Sequence, residues 1–232
     1  MRSISRVVAL DAITQQEAIH AGVPAERIEI IPNAILLRRA PNALTEPRSI
    51  VFIGRLAQQK RIESLMIAYE QLLETIHEAP QLLIAGGCAE KTTLEELAGQ
   101  LEIAGQYKFL GNVPEPEDVL EDACCFVNPS ESEGLPNAVL EALAFGVPVL
   151  LSDIPVHREL ATAVGMEDFL FPVGNAQALA FKLRNFLELQ DKDKNNLRQR
   201  CAEYAQRFKV EIRDDAYLGM YRTLLNQHHF KG

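Results

Sequence analysis

Residues 124–149 read CCFVNPSESEGLPNAVLEALAFGVPV and combine an apolar run, a polar loop and a helical pattern. The opening part, residues 124–130, predicts a short buried strand that ends in polar turn residues. Gly134 and Pro136 disfavour a helix before the proline, whereas residues 137–145 contain good helix formers and no internal breaker. This stretch therefore predicts a strand, a loop and a helix, in that order.

This stretch contains two carboxylates, Glu133 in the loop and Glu141 in the early turns of the predicted helix. In open α/β sheets, ligands bind outside the carboxyl ends of the strands, and a helix N-terminus presents free N–H groups to phosphate. The layout predicts a site for a charged ligand. Glu141 taken alone has a plainer explanation, because acidic residues favour helix N-termini whether or not they bind a ligand.

A second corner of this kind occurs at residues 49–61, SIVFIGRLAQQKR, where an apolar strand leads into glycine, arginine and lysine. The chain has a formal net charge of -9, so two cations at one sheet edge indicate an anionic ligand. The guanidinium of Arg55 can donate two parallel hydrogen bonds to two phosphate oxygens, and the ammonium of Lys60 can add a point charge. Together these two groups suit a diphosphate. A solvated basic turn is the alternative, because this spacing is a weak pattern by itself.

Apolar strand patterns alternate with helical patterns along most of the chain. Helical spacing is strongest at residues 62–78 and 178–189. Strands are predicted at residues 50–53, 82–85, 108–110, 124–128, 147–151 and 169–173. The alternation predicts an α/β fold, with a Rossmann-like open parallel sheet and helices on both faces.

The two ends of the chain follow a different pattern. Residues 1–40 predict a lone βαβ piece, with strands at 7–10 and 28–31, before a linker at 40–48. Residues 209–225 predict a helix whose apolar face needs a partner. Neither segment is expected to form a core alone.

Composition places the chain among soluble globular proteins. Its 232 residues are 47% hydrophobic and 24% charged, which argues against disorder, and its negative charge disfavours nucleic acid as a partner. The apolar run near residue 7 is too short for a signal peptide, and no later run reaches membrane-spanning length. A cytoplasmic location is expected, with peripheral membrane attachment through another domain or partner left open.

The sequence predicts no metal site. Cys88, Cys124, Cys125 and Cys201 lack the spacing of metal or redox sites and are expected to be reduced, mostly buried thiols. Adjacent Cys124 and Cys125 should point to opposite faces of a strand. Residues 191–196, DKDKNN, contain two aspartates but are expected to form a solvated loop.

Two stretches together, GRLAQQK at residues 54–60 and ESEGLPNAVLEALAFGVPVL at residues 131–150, resemble a known family. They are similar to the donor half of retaining GT-B glycosyltransferases of family 4, the glycosyltransferase group 1 enzymes. Glu133 and Glu141 match the E-x7-E pair of that family. The likeness covers nearly the whole chain and is specific for the family but not for the substrate.

Two lesser matches occur in the family's order. Residues 31–34, IPNA, resemble its IPNG hinge motif, and residues 109–114, FLGNVP, resemble its FLG-x-V-P turn. Ala34 stands where the family usually has glycine. If this position requires a positive φ, the Cβ of Ala34 is unfavourable by about 1 kcal/mol.

The resemblance implies a role for each matched residue. Arg55 and Lys60 would neutralise the diphosphate and stabilise charge on the leaving group, and Glu133 would lie beside the donor sugar, so that these three residues form the catalytic set. Glu141 would accept hydrogen bonds from the ribose hydroxyls. The other implied donor-binding positions are Gly54, Asn112, Val113, Gly134, Leu135, Pro136 and Asn137.

The implied function is transfer of a sugar from a nucleotide-diphosphate sugar to an unknown acceptor, a glycan or a lipid-linked sugar, with retention of configuration. No cofactor or metal is implied. The implied domains are a remnant of the N-terminal acceptor domain with the hinge at 1–40, a donor-binding domain at 41–208, and a helix at 209–232 that crosses back. Most of the acceptor domain is expected to come from elsewhere, in the same chain or another.

Other functions stay open at this point. A non-catalytic module or subunit that binds a nucleotide sugar but lacks its acceptor domain is the main alternative. A glycoside hydrolase would also use two carboxylates, but it would not need the corner that carries Arg55 and Lys60. His157 follows a predicted strand end and could touch the donor, although a histidine on a helix surface is the plainer explanation.

Overall fold

The structure is a computed structural model that describes residues 5–36, 48–87 and 91–229, without the side chains at 91 and 227–229. Its contacts form two units, which are described separately. Of the described residues, the sheet unit contains 48–87, 91–133 and Ala138–Ala205, and the terminal unit contains 5–36, Gly134–Asn137 and 206–229. Most of the predicted linker, residues 40–47, and Cys88 lie outside the described residues.

In chain order, the strands are β1 (Val7–Ala9), β2 (Ile28–Ile30), β3 (Ser49–Ile53), β4 (Gln81–Ala85), β5 (Tyr107–Gly111), β6 (Ala123–Asn128), β7 (Val149–Ser152) and β8 (Leu170–Phe171). The α-helices are α1 (Ala12–His20), α2 (Ile62–Leu73), α3 (Lys91–Gln100), α4 (Glu117–Leu120), α5 (Asn137–Ala144), α6 (Pro155–Val164), α7 (Ala176–Leu187), α8 (Asp191–Ala205) and α9 (Val210–His229). Short 3-10 turns occupy Ala25–Arg27, Gln58–Lys60, Glu167–Phe169 and Gln206–Phe208.

The sheet unit contains six parallel strands in the order β5-β4-β3-β6-β7-β8, with helices on both sides. These strands are the six predicted ones, so the predicted α/β fold is confirmed. Strands β6 and β7 are buried along their whole length, as expected where helices cover both faces of a parallel sheet.

The order of the strands reverses between β3 and β6. From β3 the chain builds outward through β4 and β5, and it then returns to the other side of β3 with β6, β7 and β8. In open α/β sheets, the carboxyl ends of the two strands at such a reversal form the ligand-binding crevice. The two corners that the sequence analysis selected follow β3 and β6, the strands on either side of this reversal.

Two helices begin or end at residues other than the predicted ones. Helix α2 begins at Ile62 as predicted but ends at Leu73, and residues 74–78 are not helical. Helix α7 begins at Ala176, because the side chain of Asn175 accepts a hydrogen bond from the backbone N–H of Ala178. Hydrophobic spacing therefore located these helices but not their ends.

The prediction of a solvated loop at residues 191–196 is wrong, because α8 begins at Asp191. Asp191 and Asp193 lie in its first turn, where carboxylates interact favourably with the helix dipole. Further along, Leu197, Cys201 and Ala205 repeat at helical spacing and are buried. The charged run is therefore the first part of an amphipathic helix.

The prediction that Cys124 and Cys125 point to opposite faces of a strand is also wrong. Their sulfur atoms lie 3.9 Å apart, and the pairing of β6 with β3 shifts register between Ser49 and Ile50. Such a shift corresponds to a β-bulge, in which two consecutive residues lie opposite one residue of the partner strand. Cys124, Cys125 and Cys201 are free, buried thiols, as predicted.

The terminal unit contains the predicted βαβ piece. Strands β1 and β2 pair in parallel, α1 connects them, and Asp11 caps α1 with its side chain. An isolated bridge joins Ile35 to Lys209, just before α9. The domain boundaries at residues 40 and 208 stay predictions. None of the helices in the described part of the chain is both long and apolar enough to cross a membrane.

Candidate functional site

The two sequence corners meet in an ion pair at the carboxyl edge of the sheet. Lys60 Nζ donates to Glu133 Oε1 at 2.5 Å, and the two side chains are only 17% and 10% exposed. The lysine ends the 3-10 turn after β3, and the glutamate lies in the loop after β6. The structure therefore brings together two residues that the sequence analysis assigned to one site.

Three donors converge on the same oxygen of Glu133. Besides Lys60, the Ser130 hydroxyl lies 2.7 Å and the Asn128 side-chain amide 3.1 Å from Oε1. Burial alone would raise the pKa of Glu133, but these hydrogen bonds and the charge of Lys60 outweigh it and lower the pKa overall. Glu133 is therefore an ionised acceptor, and no residue in the described ranges donates to its other oxygen, Oε2.

The loops that carry this ion pair are joined on both sides of it. Gln59 donates through Nε2 to the backbone oxygen of Ser132 at 2.7 Å, and its own backbone oxygen accepts from Glu131 N at 3.0 Å. Arg61 donates through Nε to Glu131 at 2.8 Å from a left-handed backbone conformation, with φ of 50°. Three consecutive residues of one loop therefore pair with three of the other, which limits the freedom of Lys60 and Glu133.

Arg55 presents a cation that is available to an anion. It follows β3 after Gly54, is exposed, and makes no ion pair with any residue that the structure describes. Because an arginine fork binds phosphate oxygens in pairs, this position suits the first contact with a diphosphate.

Glu141 lies on α5, the helix that follows the loop containing Glu133 in the chain, and is half-buried. Burial raises its pKa, and the nearby charge of Glu117 raises it further. Glu117 is itself buried, at 2% exposure. A half-buried carboxylate of raised pKa is a good acceptor for hydroxyl groups, which fits the ribose contact implied for Glu141.

Gly86, which the sequence analysis did not select, joins two of the selected motifs. A Cβ at this position would lie 1.8 Å from the backbone oxygen of Gly54, and its φ of +151° also excludes most side chains. Gly54 N donates to Ala85 O at 2.9 Å, and Gly86 N donates to Gly111 O at 2.7 Å. The ends of β3, β4 and β5 are therefore held close together.

Asn112 and Val113, two of the implied donor-binding positions, follow β5 at this end of the sheet. Asn112 is exposed, and its side chain packs against Gly87, where a Cβ would lie 2.6 Å from Asn112 Oδ1. The glycine at 87 thus leaves room for the side chain of Asn112 itself. The signal in the sequence was the pair of glycines directly after a predicted strand.

In the terminal unit, the hinge motif contacts the loop that follows Glu133. Asn33 Nδ2 donates to Leu135 O at 3.2 Å and to Asn137 Oδ1 at 2.8 Å. Gly134 and Pro136 complete this loop. Ala34 has no positive φ, because Arg61 is the one non-glycine residue of positive φ in the described ranges, so the expected strain at Ala34 does not arise.

His157 is not on a helix surface, and that explanation is wrong. Its side chain is fully buried, and Nδ1 lies 3.0 Å from both the hydroxyl and the backbone oxygen of Ser152. Burial lowers its pKa to about 4. Asn128, Ser130 and Ser152 were not predicted as site residues, although polar residues at the ends of two apolar strands are a visible signal in the sequence.

No metal site was predicted, and no group of three or more potential ligands among histidine, cysteine, aspartate and glutamate occurs in the residues that the structure describes.

Comparison with known proteins indicates a family. The model described as Glycosyl transferases group 1 matches residues 35–208. An uncharacterized glycosyltransferase of Methanocaldococcus jannaschii is 36% identical over 122 residues, which is 52% of the chain and 31% of that protein. AmsK, an amylovoran biosynthesis glycosyltransferase of Erwinia amylovora, is 29% identical over 199 residues, or 75% of the chain and 45% of AmsK. The chain therefore spans less than half the length of these two relatives.

The fold is also similar to a solved structure. Anabaena HepE, in a crystal structure with UDP and glucose, matches with a TM-score of 0.81 and 21% identity. The match covers 94% of this chain and 63% of HepE. At this identity the likeness concerns the fold alone.

Proposed function

The chain belongs to the glycosyl transferases group 1 family, and we propose that it supplies the donor-binding half of an enzyme that transfers a sugar from a nucleotide-diphosphate sugar. The acceptor in this proposal is a glycan or a lipid-linked sugar, and transfer proceeds with retention of configuration. The ion pair between Lys60 and Glu133, where the strand order reverses, is the single observation that carries the proposal.

The charges at this edge suit a diphosphate leaving group. Arg55 is exposed and without an ion pair in the described residues, while Lys60 is already held in place by Glu133. An incoming diphosphate would bind Arg55 first and then share Lys60 with Glu133. Both cations would stabilise the charge that develops on the leaving phosphate, an effect typically worth several kcal/mol, about 3 for a single well-placed donor.

The two carboxylates have different proposed roles because their environments differ. Glu133 is kept ionised and has Oε2 available, so it would act beside the donor sugar. Glu141, with its raised pKa, would accept hydrogen bonds from the ribose hydroxyls. Gly54, the backbone from Gly134 to Asn137, Asn112 and Val113 would contact the phosphates, sugar and base. HepE was crystallised with UDP, which makes a uridine nucleotide the first candidate.

The proposed reaction needs no metal or cofactor, because Arg55 and Lys60 supply the positive charge that a divalent cation supplies at other diphosphate sites. Turnover that is unchanged by a chelator would support this part of the proposal. Loss of turnover on chelation, restored by Mg²⁺ or Mn²⁺, would contradict it.

An acceptor domain is the proposed partner of the terminal unit. Helix α9 exposes Ile212, Leu218, Tyr221 and Leu225, at 49% to 62% of their surface. A cleft of about 780 Å³ lies beside it and is lined in part by Asn33, Asn137, Arg213, Tyr217 and Tyr221. Exposed apolar groups at this density indicate a surface that packs against another domain.

The experiment is calorimetric titration of UDP, GDP and ADP into the chain and into its Lys60→Ala and Glu141→Ala variants. Lys182→Ala is the matched control, because Lys182 lies on α7, away from both corners in the sequence, and its ammonium donates a hydrogen bond to the backbone oxygen of Asp168. Binding of one nucleotide that both site variants weaken, and the control does not, supports the donor site. Binding without sugar transfer to any acceptor would favour the non-catalytic module, and no binding would overturn both.

A further inference from the structure

A row of buried polar groups lies behind Glu133 and has no part in the proposed reaction. It contains Ser130, Ser152 and His157, each 0% exposed. Ser130 lies in the loop after β6, Ser152 ends β7, and His157 lies in the first turn of α6. Three elements at the ligand-binding edge therefore meet in one buried row.

The hydrogen positions in this row follow from its acceptors. His157 Nδ1 lies 3.0 Å from the backbone oxygen of Ser152, and a carbonyl oxygen can only accept. Nδ1 must therefore carry the hydrogen, and Nε2 is the bare nitrogen. Nε2 is buried and has no hydrogen-bond partner in the described residues.

The same reasoning orients the two serines. The Ser152 hydroxyl lies 2.5 Å from the backbone oxygen of Ser130, so it donates there and accepts from His157 Nδ1 at 3.0 Å. The Ser130 hydroxyl lies 2.7 Å from Glu133 Oε1 and 2.5 Å from Asn128 Oδ1. The ionised carboxylate is the stronger acceptor for its single hydrogen. Each donor in the row thus points towards Glu133.

His157 makes its hydrogen bonds through Nδ1 alone, and Nε2 is a buried nitrogen without a partner in the described residues. A buried nitrogen without a partner destabilises the fold, and an apolar side chain of similar size would avoid that penalty. The Nδ1–H group is the part of the ring that has partners. Burial also lowers the pKa of the ring to about 4, so at neutral pH this donor does not change with protonation.

We propose that His157 is a positioning residue for the Glu133 carboxylate, acting through Ser152 and Ser130. Its Nδ1–H group orients the Ser152 hydroxyl, which fixes the backbone of Ser130, whose own hydroxyl then holds Glu133 Oε1. The catalytic importance of this carboxylate rests on the proposed function, but its position and its titration do not.

The test compares two replacements of His157, each of which places a side-chain amide near one of the two ring nitrogens, with a third that has no polar group. The amide of His157→Asn can occupy the place of Nδ1, whereas the longer His157→Gln places its amide near Nε2, and His157→Leu keeps neither. The readout is the titration of the Glu133 carboxyl carbon by NMR in protein with 13C-labelled glutamate, assigned with Glu133→Gln. Thermal unfolding of each variant establishes that it is folded.

In the wild type and in His157→Asn, we expect the pKa of Glu133 to stay below its usual range. In His157→Leu and His157→Gln it should rise by about half a pH unit, because the hydroxyl of Ser130 is no longer held against the carboxylate. Ser152→Ala should reproduce this rise, and it replaces His157→Leu as the test if the leucine variant does not fold. An unchanged pKa of Glu133 in all variants would overturn the inference. So would a low pKa in His157→Gln together with a raised pKa in His157→Asn, because that result would assign the role to Nε2.

Kinetics then separate this inference from the proposed function. If a donor is turned over, kcat should fall about tenfold in His157→Gln while KM for the donor changes little, since only the carboxylate moves. If no nucleotide binds, the proposed function fails, and the titration of Glu133 still decides the positioning role.

Discussion

Lys60 Nζ and Glu133 Oε1 lie 2.5 Å apart although the two residues are 73 positions apart in the sequence. The pair joins the turn after β3 to the loop after β6, at the place where strand order reverses. If the proposed diphosphate binds at this site, it would share Lys60 with Glu133 rather than displace the carboxylate from it.

Glu133→Gln should bind nucleoside diphosphate about fivefold more tightly than the wild type, because the carboxylate that competes for Lys60 is gone. Sugar transfer by the same variant should fall by a factor of about 100 or more. Calorimetry at low salt and a transfer assay measure the two effects. Weaker binding by Glu133→Gln would contradict the idea that the carboxylate and the diphosphate share Lys60.

Glu141→Gln should stabilise the protein at pH 8 and weaken nucleotide binding. The pKa of Glu141 is raised by burial and then by Glu117, so its contribution to stability is present at low pH and is lost as pH rises through the folded-state pKa. Replacing the carboxylate removes that loss, with a gain of about 2–4 °C in Tm. Glu203→Gln, at an exposed position of α8, is the control and should leave both properties unchanged.

Gly86→Ala should destabilise the fold by about 3 kcal/mol or more, because its Cβ would collide with the backbone oxygen of Gly54 at a φ of +151°. Gly99→Ala is the matched control, since Gly99 lies in α3 and a Cβ there meets nothing within 4 Å. That control should gain about 0.5–1 kcal/mol from better helix propensity. Urea denaturation compares them, and equal stability of the two variants would refute the close approach of β3 and β4.

His157 should make the protein sensitive to mild acid. Its pKa is lowered by burial from an ordinary 6.5 to about 4, so the unfolded chain takes up this proton first. Its contribution to stability is therefore complete above pH 6.5 and is lost as pH falls towards 4, by up to about 3 kcal/mol. Denaturation at a series of pH values should show this slope in the wild type but not in His157→Asn, and parallel curves would contradict it.

Local patterns in the sequence predicted all six strands of the sheet, because apolar runs between turn residues report burial directly. They were less accurate for segments whose structure depends on contacts elsewhere. The run at Asp191 contains mostly charged residues, and only the buried side chains further along α8 make it helical. The bulge that turns Cys124 and Cys125 to one side depends on the pairing of β6 with β3. Hydrophobic periodicity within β6 carries no information on that pairing.

The candidate site was predictable to a similar extent. Arg55, Lys60, Glu133 and Glu141 were selected from two corners that resemble one family, and the structure joins Lys60 to Glu133. His157 was placed on a helix surface because one buried histidine cannot be told from an exposed one by sequence spacing. Ser130 and Ser152 could be assigned to the site only from the hydrogen bonds that connect them to each other and to Glu133.

By itself, the sequence determined the order of strands and helices and the residue types that follow each strand, because periodicity and turn chemistry act over a few neighbouring residues. The tertiary structure alone decided that strand order reverses between β3 and β6, and hence which strand ends face each other. It also decided the charge states, since the lowered pKa of Glu133 and of His157 depends on burial and on partners distant in the chain. Desolvation and hydrogen bonding are properties of the packed neighbourhood, and no local stretch of sequence contains them.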